Sequence, residues 1–162
     1  MKGSADQESA IASIHHPVRP CKVWLYKLED GTLVGFGALG KSEWRWKGNK
    51  DPRVPVTVII WVGLQKEFQG QPPPPSPKEQ RYSVRVLDDL INQASEDKET
   101  HPVLGLFVHK DNVKAIRLYQ AAGFTDDLDP LRNKAGEIEY LRMAVILDVD
   151  SLLGALPAKS KK

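Results

Sequence analysis

Alternating apolar and polar positions near the start of the chain predict a pair of β-strands. Val23 and Leu25 alternate with a second set of side chains over residues 22–28, and another apolar stretch covers residues 33–39. Asp30 and Gly31 lie between the two stretches, and an Asp-Gly pair between such runs is typical of a hairpin turn. We therefore expect two antiparallel strands joined by a short turn.

Longer apolar runs predict three further strands. Residues 56–64 are apolar and largely β-branched, as in a strand that is buried on both faces. Residues 103–108 and residues 138–147 predict the remaining two. Residues 41–55 are polar, basic and interrupted by Gly48 and two prolines, so we expect a loop between the second and third strands.

Helical spacing of apolar residues predicts two helices in the second half of the chain. The first covers about residues 83–95 and follows a proline-rich insertion at residues 71–80, which favours a polyproline conformation. In the second helix Asp111 or Asn112 is the expected N-cap, and Gly123 follows the last turn. Its apolar positions are Ala115, Leu118, Tyr119 and Ala122.

The order of these elements predicts an α/β fold with a mixed sheet. A helix between the third and fourth strands implies that this pair is parallel, whereas the hairpin is antiparallel. A chain of 162 residues has room for about one domain. We expect residues 1–21 to be an N-terminal segment with a short helix, residues 22–150 to form the domain, and residues 151–162 to be a basic tail.

Charge and composition narrow the class of protein. The 23 basic and 21 acidic residues give a net charge of +2, which argues against nucleic acid as a partner. The interleaved tryptophans and basic residues at 44–50 are better explained as part of a loop that covers the edge of the core. No apolar run approaches the ~20 residues of a membrane span. The first residues do not resemble a secretory signal, so we expect a cytoplasmic protein.

One set of motifs resembles a known family. The segments that carry it are Leu106-Phe107-Val108, Asn112, Ala115, Leu118-Tyr119 and Gly123-Phe124. At this spacing they resemble the strand-to-helix signature of the GNAT superfamily of acetyl-CoA-dependent N-acetyltransferases. The resemblance covers roughly residues 22–147. It implies a splayed, mixed sheet flanked by helices, with acetyl-CoA as co-substrate and a small-molecule, peptide or protein amine as acceptor. A homodimer is left open.

The resemblance also assigns roles to particular residues. Tyr119 stands where the family has the general acid that protonates the coenzyme A thiolate. Val62, Gly63 and Leu64 stand at the end of the strand whose main chain pairs with the pantetheine arm. Asn112 is expected at the cofactor as well, although helix capping would explain it equally.

The expected phosphate loop departs from the family pattern. Counting back from the first helix places Lys78, Arg81 and Ser83 at positions where the family has a Gln or Arg and two small residues. Both glycines are missing, so Arg81, Ser83, Val84 and Arg85 would have to bind the pyrophosphate through main-chain N–H groups and positive charge. The alternative is an ordinary helix N-terminus with solvated basic residues. The segment that binds the acceptor in the family is also shortened or replaced here.

A general base is not evident in the sequence. The third strand contains no acid or histidine, and Glu67, Glu137, Glu139 and His109 are the candidates beyond it. A water-mediated mechanism, or attack by an amine that is already deprotonated, is an equal alternative. These gaps support a second hypothesis, a degenerate GNAT-like module that binds an acyl-CoA, or nothing, and serves as a regulatory or interaction domain without catalysis. A third hypothesis, acetylation of an aminoacyl-RNA, is compatible with the size of the chain.

Overall fold

A computed structural model describes residues 22–45, 52–71 and 81–156. The short helix expected within residues 1–21, Lys78 and most of the proline-rich insertion lie outside these ranges.

Six strands form one mixed sheet in the order β1-β2-β3-β4-β6-β5. β3 and β4 are parallel, and the other neighbouring strands are antiparallel, which confirms the mixed sheet expected from the sequence. The strands are β1 Lys22–Lys27, β2 Leu33–Arg45, β3 Arg53–Leu64, β4 Val103–His109, β5 Leu131–Arg132 and β6 Ile138–Ile146.

Three α-helices and a short 3-10 turn accompany the sheet in the described residues. Both expected helices are present. They are α1 Tyr82–Ser95 and α2 Val113–Ala121, and the 3-10 turn is Lys66–Phe68. The third helix, α3 Val149–Ala155, was not expected, and it crosses the boundary drawn between the domain and the basic tail. Asp148 caps α3 through its side chain, and Leu152 buries the helix against the core.

The prediction of a loop over residues 41–55 is wrong at both ends. β2 continues to Arg45 and β3 begins at Arg53, so the hairpin is longer than expected. Trp44 drives this extension, because its ring is 6% exposed and packs on Phe107 with ring centroids 5.1 Å apart. Pro55 fits within the strand because β3 pairs with β4 only from Val56 onward. The expectation that Trp44 covers the core holds, whereas residues 46–51 lie outside the described ranges.

The core is divided between the two faces of the sheet. On the helical face, Leu104 and Leu106 of β4 pack with Leu87 and Leu90 of α1. On the second face, α3 and Trp44 cover the sheet, and a Cβ at Gly105 would lie 2.3 Å from the Trp44 ring. None of the helices in the described ranges is long and apolar enough to cross a membrane.

Candidate acyl-coenzyme A site

A gap opens in the sheet between β3 and β4. The two strands pair from Val56 opposite Val103 to Ile59 opposite Leu106, and no further. Beyond that point β3 stays with β2, and β4 stays with β6 as far as His109. Residues 60–64 and 107–109 therefore border the gap, and the sheet is splayed as the resemblance implied.

A β-bulge at Ile60 explains where the gap begins. Trp61 lies opposite Ala38 and Ile59 lies opposite Leu39, so Ile60 is an extra residue on β3. Such a bulge bends its strand, and here it follows directly after the last residue that pairs with β4. A Cβ at Gly63 would lie 2.9 Å from the Phe36 ring, so this glycine provides room for an aromatic side chain.

Main-chain groups of β3 face the gap. The Gln65 N–H donates to the Val34 carbonyl at 2.8 Å, and bonded and non-bonded pairs alternate along an antiparallel ladder. It follows that Gly63 bonds toward β2, whereas the N–H and C=O groups of Val62 and Leu64 point toward the gap. The Leu64 carbonyl accepts from the Gln69 side-chain amide at 3.1 Å. Val62 thus offers both a donor and an acceptor to an extended ligand.

Tyr119 lies on the helical side of this gap. It belongs to one apolar cluster with Val108 of β4 and with Val62 and Leu64 of β3. The side chain is 7% exposed and its ring packs against Phe124, with centroids 5.9 Å apart. Within the described ranges its hydroxyl has no hydrogen-bond partner, and burial raises the pKa of the phenol above its usual value. The hydroxyl is therefore protonated at neutral pH and free to donate.

The N-terminus of α1 is held by a small stem next to β3. The Tyr82 N–H donates to the Gln71 carbonyl at 3.1 Å, and the Tyr82 ring meets Phe68 edge-on with centroids 5.1 Å apart. This stem joins the two ends of residues 72–80. Arg81 is the N-cap residue in an extended conformation without a side-chain cap, and the Ser83 N–H has no acceptor within the described ranges.

Two arginines place positive charge at the N-terminus of α1. Arg81 and Arg85 are exposed, and the first turn of α1 contains no acidic residue. The N–H groups of Val84 and Arg85 donate to the Arg81 carbonyl at 3.0 and 3.1 Å, so among the described residues of this turn the Ser83 N–H is the donor without an acceptor. A helix N-terminus with its dipole and two guanidinium groups is suited to a phosphate.

Asn112 has a structural role that the geometry shows directly. Its side-chain oxygen accepts the N–H of Ala115 at 3.3 Å, which makes it the N-cap of α2. The expected contact of Asn112 with the cofactor stays a prediction.

Two of the candidates for a general base are engaged elsewhere. Nδ1 of His109 accepts the Asp111 N–H at 3.3 Å and lies 3.8 Å from the Asp111 carboxylate, so this nitrogen is engaged within its own turn. Glu137 accepts from the Asn133 side chain at 3.1 Å within the turn before β6. Glu67 is exposed in the 3-10 turn, and Glu139 is exposed on β6.

Aromatic side chains border the gap on the second face. Trp61 of β3 stacks on Phe36, with centroids 5.7 Å apart, and remains 44% exposed. On the other border, the guanidinium of Arg142 lies 5.6 Å from the Phe107 ring. No local motif marks Arg142, because its proximity to the gap depends on the register that pairs Phe107 with Arg142.

Solved structures with the same architecture are acetyltransferases. The ribosomal-protein-S18-alanine N-acetyltransferase from Escherichia coli matches with a TM-score of 0.55 and 15% identity, over 96% of this chain and 81% of that one. The Vibrio cholerae spermidine N-acetyltransferase, solved with CoA and spermine, matches with a TM-score of 0.57 and 15% identity, over 91% and 77%. A GNAT-family acetyltransferase from Streptococcus pneumoniae matches with a TM-score of 0.51 and 17% identity, over 78% and 66%.

The likeness establishes the fold of this chain. No protein-family model matches the sequence, and no curated protein sequence matches it either. The protein has the GNAT fold, as the resemblance found in the sequence implied.

Proposed function

We propose that this protein is an N-acetyltransferase that transfers an acetyl group from acetyl-CoA to a primary amine. The observation that carries the proposal is the gap between β3 and β4, bordered by main-chain groups of Val62 and Leu64 that no neighbouring strand uses. A structural sheet would lose stability by leaving such groups unpaired, so a ligand that pairs with them accounts for the opening.

The residues present fit acetyl-CoA in two places. The amide groups of a pantetheine arm match the donor and acceptor of Val62 across the gap. The pyrophosphate matches the Ser83 N–H and the two arginines at the start of α1, with the Arg81 guanidinium replacing the close main-chain approach that a glycine allows. Val84 offers no free main-chain donor to the phosphate, because its N–H is bonded to the Arg81 carbonyl.

The proposed reaction is a direct transfer. The amine nitrogen attacks the thioester carbonyl carbon, so a C–N bond forms and the C–S bond breaks. The Tyr119 hydroxyl protonates the departing thiolate, and the nitrogen loses its extra proton to water. The products are the N-acetylated amine and coenzyme A, and Tyr119 recovers its proton from solvent. Because Nδ1 of His109 is already bonded, we assign no base role to it. A cytoplasmic location stays a prediction.

Calorimetric titration with acetyl-CoA tests the cofactor site. We expect micromolar binding that weakens in Arg81→Ala and with a coenzyme A lacking its 3′-phosphate. Arg117→Ala, which changes an exposed arginine on α2, is the matched control. Failure to bind at near-millimolar acetyl-CoA would overturn the proposal.

Release of coenzyme A thiol in the presence of amines then tests catalysis. Turnover that depends on Tyr119 would support the transferase. Binding without turnover across a broad panel of amines would instead support the degenerate acyl-CoA-binding module.

A further inference from the structure

The acceptor can reach the gap from one face of the sheet. On the helical face, Tyr119, Val62 and Leu64 fill the space beside the gap as part of the core. On the second face, Trp61 is 44% exposed at one border, and His109 is exposed at the other. An amine that attacks a thioester in the gap therefore approaches across the second face.

Arg142 is a half-buried cation on that face. Strand register pairs it with Phe107, the first residue of β4 beyond the pairing with β3. Its guanidinium lies 5.1 Å from the centroid of the Trp44 ring and 5.6 Å from that of Phe107. Two aromatic rings thus fix the position of this positive charge at the border of the gap.

The guanidinium of Arg142 forms no ion pair among the described residues. Within the described ranges no carboxylate forms an ion pair with Arg142, and its Nε is enclosed without a hydrogen bond. Asp129 interacts electrostatically with the Arg142 guanidinium, but from beyond ion-pair distance. Because Nε is enclosed, the two terminal nitrogens form the side of the guanidinium that a ligand can reach. A partly desolvated cation without an acceptor gains from an anionic ligand.

The strands that border the gap place no acid on this face in the described ranges. Their side chains there are aromatic, small or basic. They are Trp61 and Gly63 of β3, Phe107 and His109 of β4, and Tyr140 and Arg142 of β6. Asp129 acts on Arg142 only from beyond ion-pair distance, so a polycationic acceptor that approaches the guanidinium meets a positive charge, which disfavours it. The spermidine enzymes that share the fold act on such a polycation.

We propose that Arg142 binds a carboxylate of the acceptor, and hence that the acceptor is an amine that also carries a carboxylate, as an amino acid does. A planar guanidinium held against aromatic rings presents its edge to a carboxylate and forms two parallel hydrogen bonds. A phosphate binds a guanidinium in the same way, and the titration below distinguishes an amine that carries a phosphate from one that carries a carboxylate. The inference rests on the transferase proposed above.

A binding experiment tests the contact without any need for turnover. The side-chain ¹⁵N–¹H signal of Arg142 Nε, assigned by its loss in Arg142→Lys, is followed during titration with L-phenylalanine, phenethylamine, O-phosphoethanolamine and spermidine. Each titration is made with and without coenzyme A. We expect a saturable shift with phenylalanine and none with phenethylamine, which lacks only the carboxylate. A larger shift with O-phosphoethanolamine than with phenylalanine would mean that Arg142 binds a phosphate of the acceptor instead of a carboxylate. Equal shifts, or none with either anion, would overturn the proposal.

An activity comparison separates this inference from the proposed function. In Arg142→Gln, the ratio of kcat/KM for phenylalanine to that for phenethylamine should fall at least about tenfold, because a charge-assisted contact is lost. Arg117→Gln should leave the ratio unchanged. Acetyl-CoA affinity measured on each variant reports whether the fold and the cofactor site survive. If acetyl-CoA binds but the ratio does not change in Arg142→Gln, the role of Arg142 is wrong while the transferase stands.

Discussion

Tyr119→Phe removes a hydroxyl that forms no hydrogen bond with the part of the chain that the structure describes. The side chain is 7% exposed, and its hydroxyl has no hydrogen bond within the described ranges. Phenylalanine fills the same space, so we expect the free energy of unfolding to change by less than about 1 kcal/mol. If the hydroxyl is the general acid, kcat should fall about 100- to 10 000-fold with little change in acetyl-CoA affinity.

Tyr26→Phe is the matched control for this variant. The Tyr26 hydroxyl donates to the Asp89 carboxylate at 2.8 Å, between β1 and α1. Its loss should lower the free energy of unfolding by about 1 kcal/mol without affecting kcat, since the pair is only half-buried. The assays are urea unfolding, calorimetry with acetyl-CoA and steady-state release of coenzyme A thiol. A Tyr119→Phe enzyme with kcat within about threefold of the wild type would refute the assigned acid role.

The remaining predictions concern stability. Gly105→Ala should cost about 1–3 kcal/mol in urea unfolding, because the new Cβ would lie 2.3 Å from the Trp44 ring; a loss near zero would mean that the ring moves aside. Asn112→Ala should cost about 1 kcal/mol through loss of the α2 cap, and an unchanged acetyl-CoA affinity would contradict its expected cofactor contact. Burial raises the pKa of both Tyr26 and Tyr119, and Asp89 raises that of Tyr26 further. Both phenols therefore ionise at a lower pH in the unfolded chain than in the folded protein. Stability should fall as pH rises above about 10, and less steeply in the double Tyr→Phe variant.

The regular elements were readable from the sequence because their signals are local. The spacing of apolar residues in α1 and α2 and the apolar run of β3 predicted these elements to within a few residues. The loop over residues 41–55 was predicted wrongly because Trp44 is buried by a distant partner, Phe107 of β4. A polar, basic segment cannot reveal a contact of that kind.

Only those parts of the candidate site that lie within one continuous segment of the sequence could be predicted. Tyr119 and the α1 N-terminus belong to local motifs, so their positions could be predicted. Trp61 and Arg142 border the gap because of strand register and a bulge, both of which are set by tertiary pairing. The bonded state of His109 depends on the turn at Asp111, which the sequence left open.

The extra residue at Ile60 also bears on how a sheet of this kind can arise. Ile59 and Val62 both lie on the helical face and Trp61 on the other, although strict alternation would place residues three apart on opposite faces. Deleting residue 60 would leave every remaining pair with β2 in place and restore a regular ladder. One added residue in β3 thus coincides with the point where the sheet opens, and it leaves both the pairing with β2 and the core-facing side chains in place.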